Sequence, residues 1–189
     1  SHLVAVSRLL TKRIGDRPFV FAGALGPVNV TPPLVERLQR MGDAFIKVSA
    51  MTGPFNVDVV IDRDSVWLLE INPRWSASME IVEQACSETL QERCSFFDSN
   101  ADWIRRGDRL QAFSKQTCVL QTVYLKRILY ARRDSLVSPT DFDGGGEGGL
   151  WDWTDVPAKA TEVGRHEPVA TMMTDLNRMS LGQALRVKV

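Results

Sequence analysis

The sequence predicts an α+β chain in two parts: an antiparallel sheet with packed helices over residues 1–116, then a small β-rich unit over 117–189. Three observations predict it. Short runs of strand-forming residues recur near 4–10, 18–24 and 55–72, the last with period-two alternation. Apolar residues recur at three- and four-residue spacing over 34–48, the signature of a helix face. From Thr117 the composition turns toward β-branched and aromatic residues.

Taken in order, VAVSRLL at 4–10 and FVFAGAL at 18–24 read as two strands, with TKRIGDRP between them supplying turn chemistry. Thr31-Pro32-Pro33 opens a helix, because proline's missing N–H has no helical partner in the first turn. Leu34, Leu38, Met41, Ala44, Phe45 and Val48 give that helix one apolar stripe, running to about Ala50. Phe55, Val57, Val59 and Ile61 alternate with Asn56, Asp58, Val60 and Asp62, so Asn56 and Asp58 share a face. Asp62–Ser65 is the turn, and Val66–Asn72 returns with Leu68, Glu70 and Asn72 on one face. A carboxylate and an amide on an apolar strand face are costly unless they bind something. The bland alternative is that Glu70 pairs with an arginine. A helix follows from about Ser78, with Ser76 or Ser78 as its cap, and a shorter one lies near Ala101–Arg106.

The second part opens with CVLQTVYLKRILYAR, one long strand or two short ones. The run Asp141–Gly149 lacks the Gly-Lys-Ser/Thr ending of a phosphate-binding P-loop and reads as a mobile surface loop. Trp151 and Trp153 read as packing aromatics, with a lid role as the alternative. Strands at 161–163 and 169–173 and a closing helix at 180–186 complete the unit.

Bulk properties exclude several classes. Lys+Arg and Asp+Glu are both 23, so the formal net charge is +0, which argues against a chain built to bind nucleic acid. A membrane span is excluded too, since no apolar run approaches the roughly 20 residues it needs. Cys86, Cys94 and Cys118 are odd in number and form no C-x-x-C pair, which fits a reduced, cytoplasmic setting and a packing role. His2 and His166 have no partner pattern for a zinc site or a triad.

The order of these elements, with Asp58, Glu70 and Asn72-Pro73-Arg74 set in NVDVVIDRDSVWLLEINPR, resembles the C-terminal half of the ATP-grasp superfamily. The resemblance covers about residues 4–90. The tail, from LKRILYARRD through WDWTDVP to EVGRHEPVATM, is similar to a group of carboxylate–amine ligases that includes tyramine–glutamate ligase-like enzymes. The resemblance implies an ATP-dependent ligase in which a carboxylate is phosphorylated and an amine attacks the acyl phosphate, forming a C–N bond. It implies ATP and Mg2+ as cofactors and a small-molecule carboxylate and amine as substrates. By the same resemblance Glu70 bridges two metal ions, Asp58 and Asn72 complete one each, and Arg74 holds the transferred phosphoryl group. Asn56 helps position the ligand, and Ser76 and Ser78 are candidate substrate contacts. The nucleotide-binding half that normally precedes these elements has no counterpart in these residues, so a missing N-terminal half of the same protein is the expected partner. A non-catalytic binding or assembly module derived from the same fold is the alternative. Assembly as a homo-oligomer is left open by the letters.

Overall fold

The computed structural model describes residues 1–63, 65–90, 95–96, 122–143 and 149–187. The short helix read near 101–106, Cys94, Cys118, the start of the strand read from 118 and most of the glycine run lie outside the described residues. The chain divides into two compact units: Ser1–Val6 with Asn29–Leu120, and Ser7–Val28 with Gln121–Val189.

The chain enters through a hairpin of β1 (Arg8–Ile14) and β2 (Arg17–Gly26), with Arg8 opposite Leu25 and Ile14 opposite Arg17. Residues 11–14, read from sequence as turn, belong to β1. A two-residue turn at Gly15-Asp16 suffices, and the charged Lys12 and Arg13 are tolerated because this strand is an edge. Helix α1 (Pro32–Ser49) has prolines in its first turn and ends on Ala50 in the left-handed region at φ 50°. Its inward face differs in part from the stripe read in the sequence. Ala44 and Val48 are exposed, and Gly42 is the buried residue of the helix. A Cβ on Gly42 would stand 2.7 Å from Ser1 Oγ and 3.4 Å from Phe55 Cζ, so the close approach of the chain there depends on glycine. One turn on, Phe45 meets Phe55 with ring centroids 5.0 Å apart.

Strands β3 (Asn56–Asp62) and β4 (Ser65–Asn72) form a separate two-stranded sheet. Helix α2 (Met79–Leu90) follows, with Ile81, Val82, Ala85 and Cys86 buried. Their i, i+1, i+4, i+5 spacing is one helical face, and Cys86 takes the packing role read from the sequence.

The second unit is β-rich, as read. β5 (Tyr124–Tyr130) pairs with β2 on one side and with β9 (Pro168–Asp175) on the other. Between them in sequence come β6 (Ser135–Val137), a 3-10 turn (Pro139–Phe142), β7 (Asp152–Thr154) and β8 (Thr161–Val163). A one-turn helix α3 (Leu181–Ala184) closes the described chain. The main sheet runs β1-β2-β5-β9-β7 with antiparallel neighbours throughout, and β6 pairs with β8. The ladder from Gly23–Gly26 to Tyr124–Arg127 groups residues 7–28 with the C-terminal unit, whereas the sequence boundary at 116 had placed them with the first part. Strand pairing overrides sequence proximity here, because a lone hairpin is marginal until a third strand joins it.

Two apolar clusters hold this unit. Leu125, Met172, Met179 and Ala184 form one, and Ala131, Val137, Phe142, Val163, Val169 and Ala170 the other. Trp153 packs against both, edge-on to Phe142 and to Trp151. The tryptophans thus take the packing role.

Candidate functional site

The β3–β4 hairpin brings together the residues singled out from the sequence. Asn56 stands opposite Asn72 in the ladder, and Asp58 stands opposite Glu70. The two amides orient the two carboxyls: Asn56 Nδ2 donates to Asp58 Oδ1 at 2.5 Å, and Asn72 Nδ2 donates to Glu70 Oε1 at 2.9 Å. Both bonds link residues two apart on one strand, so they lie on one face. Four oxygen-bearing side chains therefore form a compact square at one end of the hairpin.

A register shift separates this square from the rest of the hairpin. Asp58 pairs with Glu70, but Val59 pairs with Leu68, which leaves Leu69 unpaired. The bulge breaks the alternation that placed Leu68 on the face of Glu70 and Asn72. Glu70 is exposed, and so are Trp67, Leu68 and Leu69. The sequence argument that Glu70 is a carboxylate on an apolar face therefore moves to Asp58, which is half-buried. Among the described residues no arginine lies within ion-pair distance of Glu70, and the charge of Arg74 acts on it from farther away.

The two carboxyls are electrostatically unequal. Burial raises Asp58 above the ordinary carboxylate range, and the facing Glu70 raises it further against the pull of the Asn56 amide. Glu70 is lowered, by the Asn72 amide first, then by a hydrogen bond from Asp58 and by the charge of Arg74. Of the two, Asp58 is thus the carboxyl that takes up a proton more readily. Like charges directly opposite in a sheet destabilise it. A shared proton relieves that repulsion, and so does a cation between the two groups.

Arg74 lies just beyond β4. Its backbone N–H closes a turn onto the Asn72 carbonyl at 2.8 Å, and its exposed guanidinium reaches the Trp75 carbonyl at 3.3 Å. Ser76 and Ser78 are linked through their hydroxyls at 3.1 Å, and Ser78 is buried immediately before α2. Sequence reasoning missed Glu83. This α2 carboxylate accepts the Phe96 N–H and interacts with Trp75 and Ser95, and burial raises its pKa. Its position beside buried Val82 and Cys86 was the available signal.

The donor set fits a hard divalent cation. Magnesium takes oxygen ligands and is usually held by one or two carboxylates, with waters and phosphate oxygens filling its octahedron. The square supplies two carboxylates and two amide side chains. Among the described residues no group of three or more His, Cys, Asp or Glu stands ready to hold a metal, so this is no self-sufficient protein cage.

No family model matches the chain. A stretch of 64 residues is 31% identical to the carbamoyl phosphate synthase large chain of Myxococcus xanthus (strain DK1622), covering 34% of this chain and 6% of that protein. Among solved structures, the phosphoribosylglycinamide synthetase of Anaerococcus prevotii superposes on 89% of the chain with a TM-score of 0.57 at 14% identity. At that identity the likeness is one of fold: the chain shares the fold of this part of the synthetase. The N5-carboxyaminoimidazole ribonucleotide synthetase of Thermotoga maritima matches with a TM-score of 0.49 and 10% identity, over 97% of this chain and 51% of its own. The chain spans 43% of the Anaerococcus enzyme. No described helix is long and apolar enough to cross a membrane.

Proposed function

We propose that this chain carries the metal- and phosphate-handling part of an ATP-dependent carboxylate–amine ligase that works through an acyl phosphate. The observation that carries the reading is the Asp58–Glu70 pair, two carboxyls facing each other with an amide beside each. The shared fold and the 64-residue likeness to a carbamoyl phosphate synthase support it.

In this reading Asp58, Glu70 and Asn72 hold Mg2+. When bound, the cation neutralises the charge of the triphosphate, so that a carboxylate can approach it. The remaining roles belong to the chain's own groups. Asn56 and Asn72 each donate an N–H to a carboxyl, which turns the opposite lone pairs toward the ligand. Arg74 presents a planar guanidinium to the transferred phosphoryl group, where a forked donor suits two oxygens at once. The substrates are a small-molecule carboxylate and an amine.

Titration of the 189-residue chain with Mn2+, followed by electron paramagnetic resonance, tests the metal assignment. Binding is expected in the wild type and is expected to weaken at least roughly tenfold in Glu70→Gln, on the scale typical of altered metal sites. Equal affinity in the two proteins would overturn the assignment.

A further inference from the structure

On the second unit, observations independent of the β3–β4 site point to an anion. Strands β1, β2 and β5 lie side by side, with Lys12 on the first and Arg127 on the third. The Lys12 ammonium stands 4.6 Å from the centre of the Tyr130 ring. The Tyr130 hydroxyl donates to the Phe21 carbonyl at 2.7 Å, which fixes that ring. Arg127 is fixed as well: Nη1 donates to the carbonyls of Ala184 at 3.0 Å and Val187 at 2.8 Å. Arg132 follows on the exposed turn after β5.

These cations act on one another through their charges. Burial lowers the Lys12 pKa first, and the charges of Arg127 and Arg132 lower it further. Arg127 is lowered in the same way, by burial and then by Arg132. Arg17 adds a further positive charge beside Tyr130. Among the described residues no carboxylate lies within ion-pair distance of Lys12, Arg127 or Arg132. The chain as a whole has a formal net charge of +0, so the cluster is a local segregation of charge and not a basic composition. Partly buried like charges are costly without a counter-charge.

We propose that Lys12, Arg127 and Arg132 form a subsite for the phosphate group of a small-molecule ligand. Two guanidiniums and an ammonium match a dianion with several acceptor oxygens better than a singly charged carboxylate. Arg127, anchored through Nη1, keeps its other N–H donors without a partner among the described residues. Lys12 stands over the Tyr130 ring, and Arg132 lies two residues beyond that tyrosine, exposed after β5.

The test titrates the 189-residue chain with inorganic phosphate at constant ionic strength, following backbone amide resonances. Glycerol 3-phosphate and acetate are run in parallel. The expected result is saturable phosphate binding in the millimolar range, with shifts on β1 and β5 and acetate at least roughly tenfold weaker. Lys12→Met, which keeps an apolar stem over Tyr130, and Arg132→Ser should each weaken phosphate binding at least roughly fivefold with native circular dichroism. Arg178→Ala, an exposed arginine outside the cluster, should leave it unchanged. A monoester that binds more tightly than inorganic phosphate identifies an esterified ligand, and equal affinity identifies free phosphate. The absence of saturable binding, unchanged affinity in both variants, or loss of binding in Arg178→Ala would overturn the proposal.

Discussion

Asp58 lies directly across the ladder from Glu70, and each carboxyl accepts a hydrogen bond from the asparagine two residues away on its own strand. The arrangement has opposite consequences for folding and for binding. Asp58→Asn removes the like-charge opposition, so the variant should melt no lower than the wild type. The same change should cost cation affinity at least roughly tenfold. Differential scanning calorimetry with and without Mg2+ separates the two effects. A variant that lost stability but kept cation binding would contradict this account of the pair.

Arg74 is outside the square, and the role proposed for it depends on its forked guanidinium. In the full-length protein, Arg74→Lys keeps the charge but not the bidentate geometry. ATP-dependent turnover should fall at least roughly tenfold, while Mn2+ affinity of the chain stays as it was. A parallel loss of both would place Arg74 among the groups that hold the cation.

Glu83 predicts a pH dependence. Its folded pKa lies above that of the unfolded chain, so the folded state holds the proton more tightly. That contribution to stability is complete below the ordinary glutamate value of about 4.3 and is lost as the pH rises through the raised value. Glu83→Gln keeps an acceptor for the Phe96 N–H and has no charge to desolvate. Denaturation midpoints from about pH 4 upward should therefore decline less in Glu83→Gln than in the wild type. Parallel profiles would show that Glu83 does not titrate differently on folding.

The β2–β5 ladder has a sharp sequence requirement. Gly23 adopts φ +141°, and a Cβ there would lie 2.0 Å from the Lys126 carbonyl oxygen. Gly23→Ala should cost at least about 2 kcal/mol, from backbone strain and the displaced ladder together. Gly53 also has positive φ, at +108°, but faces open space. Gly53→Ala should cost only the strain, about 1 kcal/mol. Urea unfolding of both variants measures the difference, and equal losses would show that the steric contact does not matter.

Leu125 is fully buried among Met172, Met179 and Ala184. Leu125→Ala should destabilise the second unit by about 3 kcal/mol through lost burial and the cavity left behind. Hydrogen exchange on β5 and β9 should rise accordingly. Exchange rates unchanged in those strands would mean that this cluster does not hold the sheet.

The legible parts of the sequence were those governed by local pattern. The prolines at 32 and 33 set the start of α1, and period two set β3 and β4 and put Asn56 with Asp58 and Glu70 with Asn72. What the letters hid depends on partners far away in sequence. Nothing near Gly23 announces that its neighbour is Arg127. The bulge at Leu69 is invisible because it changes pairing and leaves composition unchanged. Val48 fits a helical stripe by spacing, yet its side of α1 meets solvent. The basic cluster escaped because a net charge sums over the chain, whereas repulsion depends on which strands lie side by side.

The pairing of Gly26 with Tyr124 sets a schedule for synthesis. The β1–β2 hairpin emerges from the ribosome roughly a hundred residues before the strand that flanks it, a gap that ranks among the slow, non-local closures in folding. At ordinary elongation rates its open edge waits on the order of 5–20 s for β5. During that interval the whole of α1, the β3–β4 hairpin and α2 is made. The nascent chain must therefore shield the hairpin's unpaired edge, by its charges or by a chaperone, until the second unit can close around it.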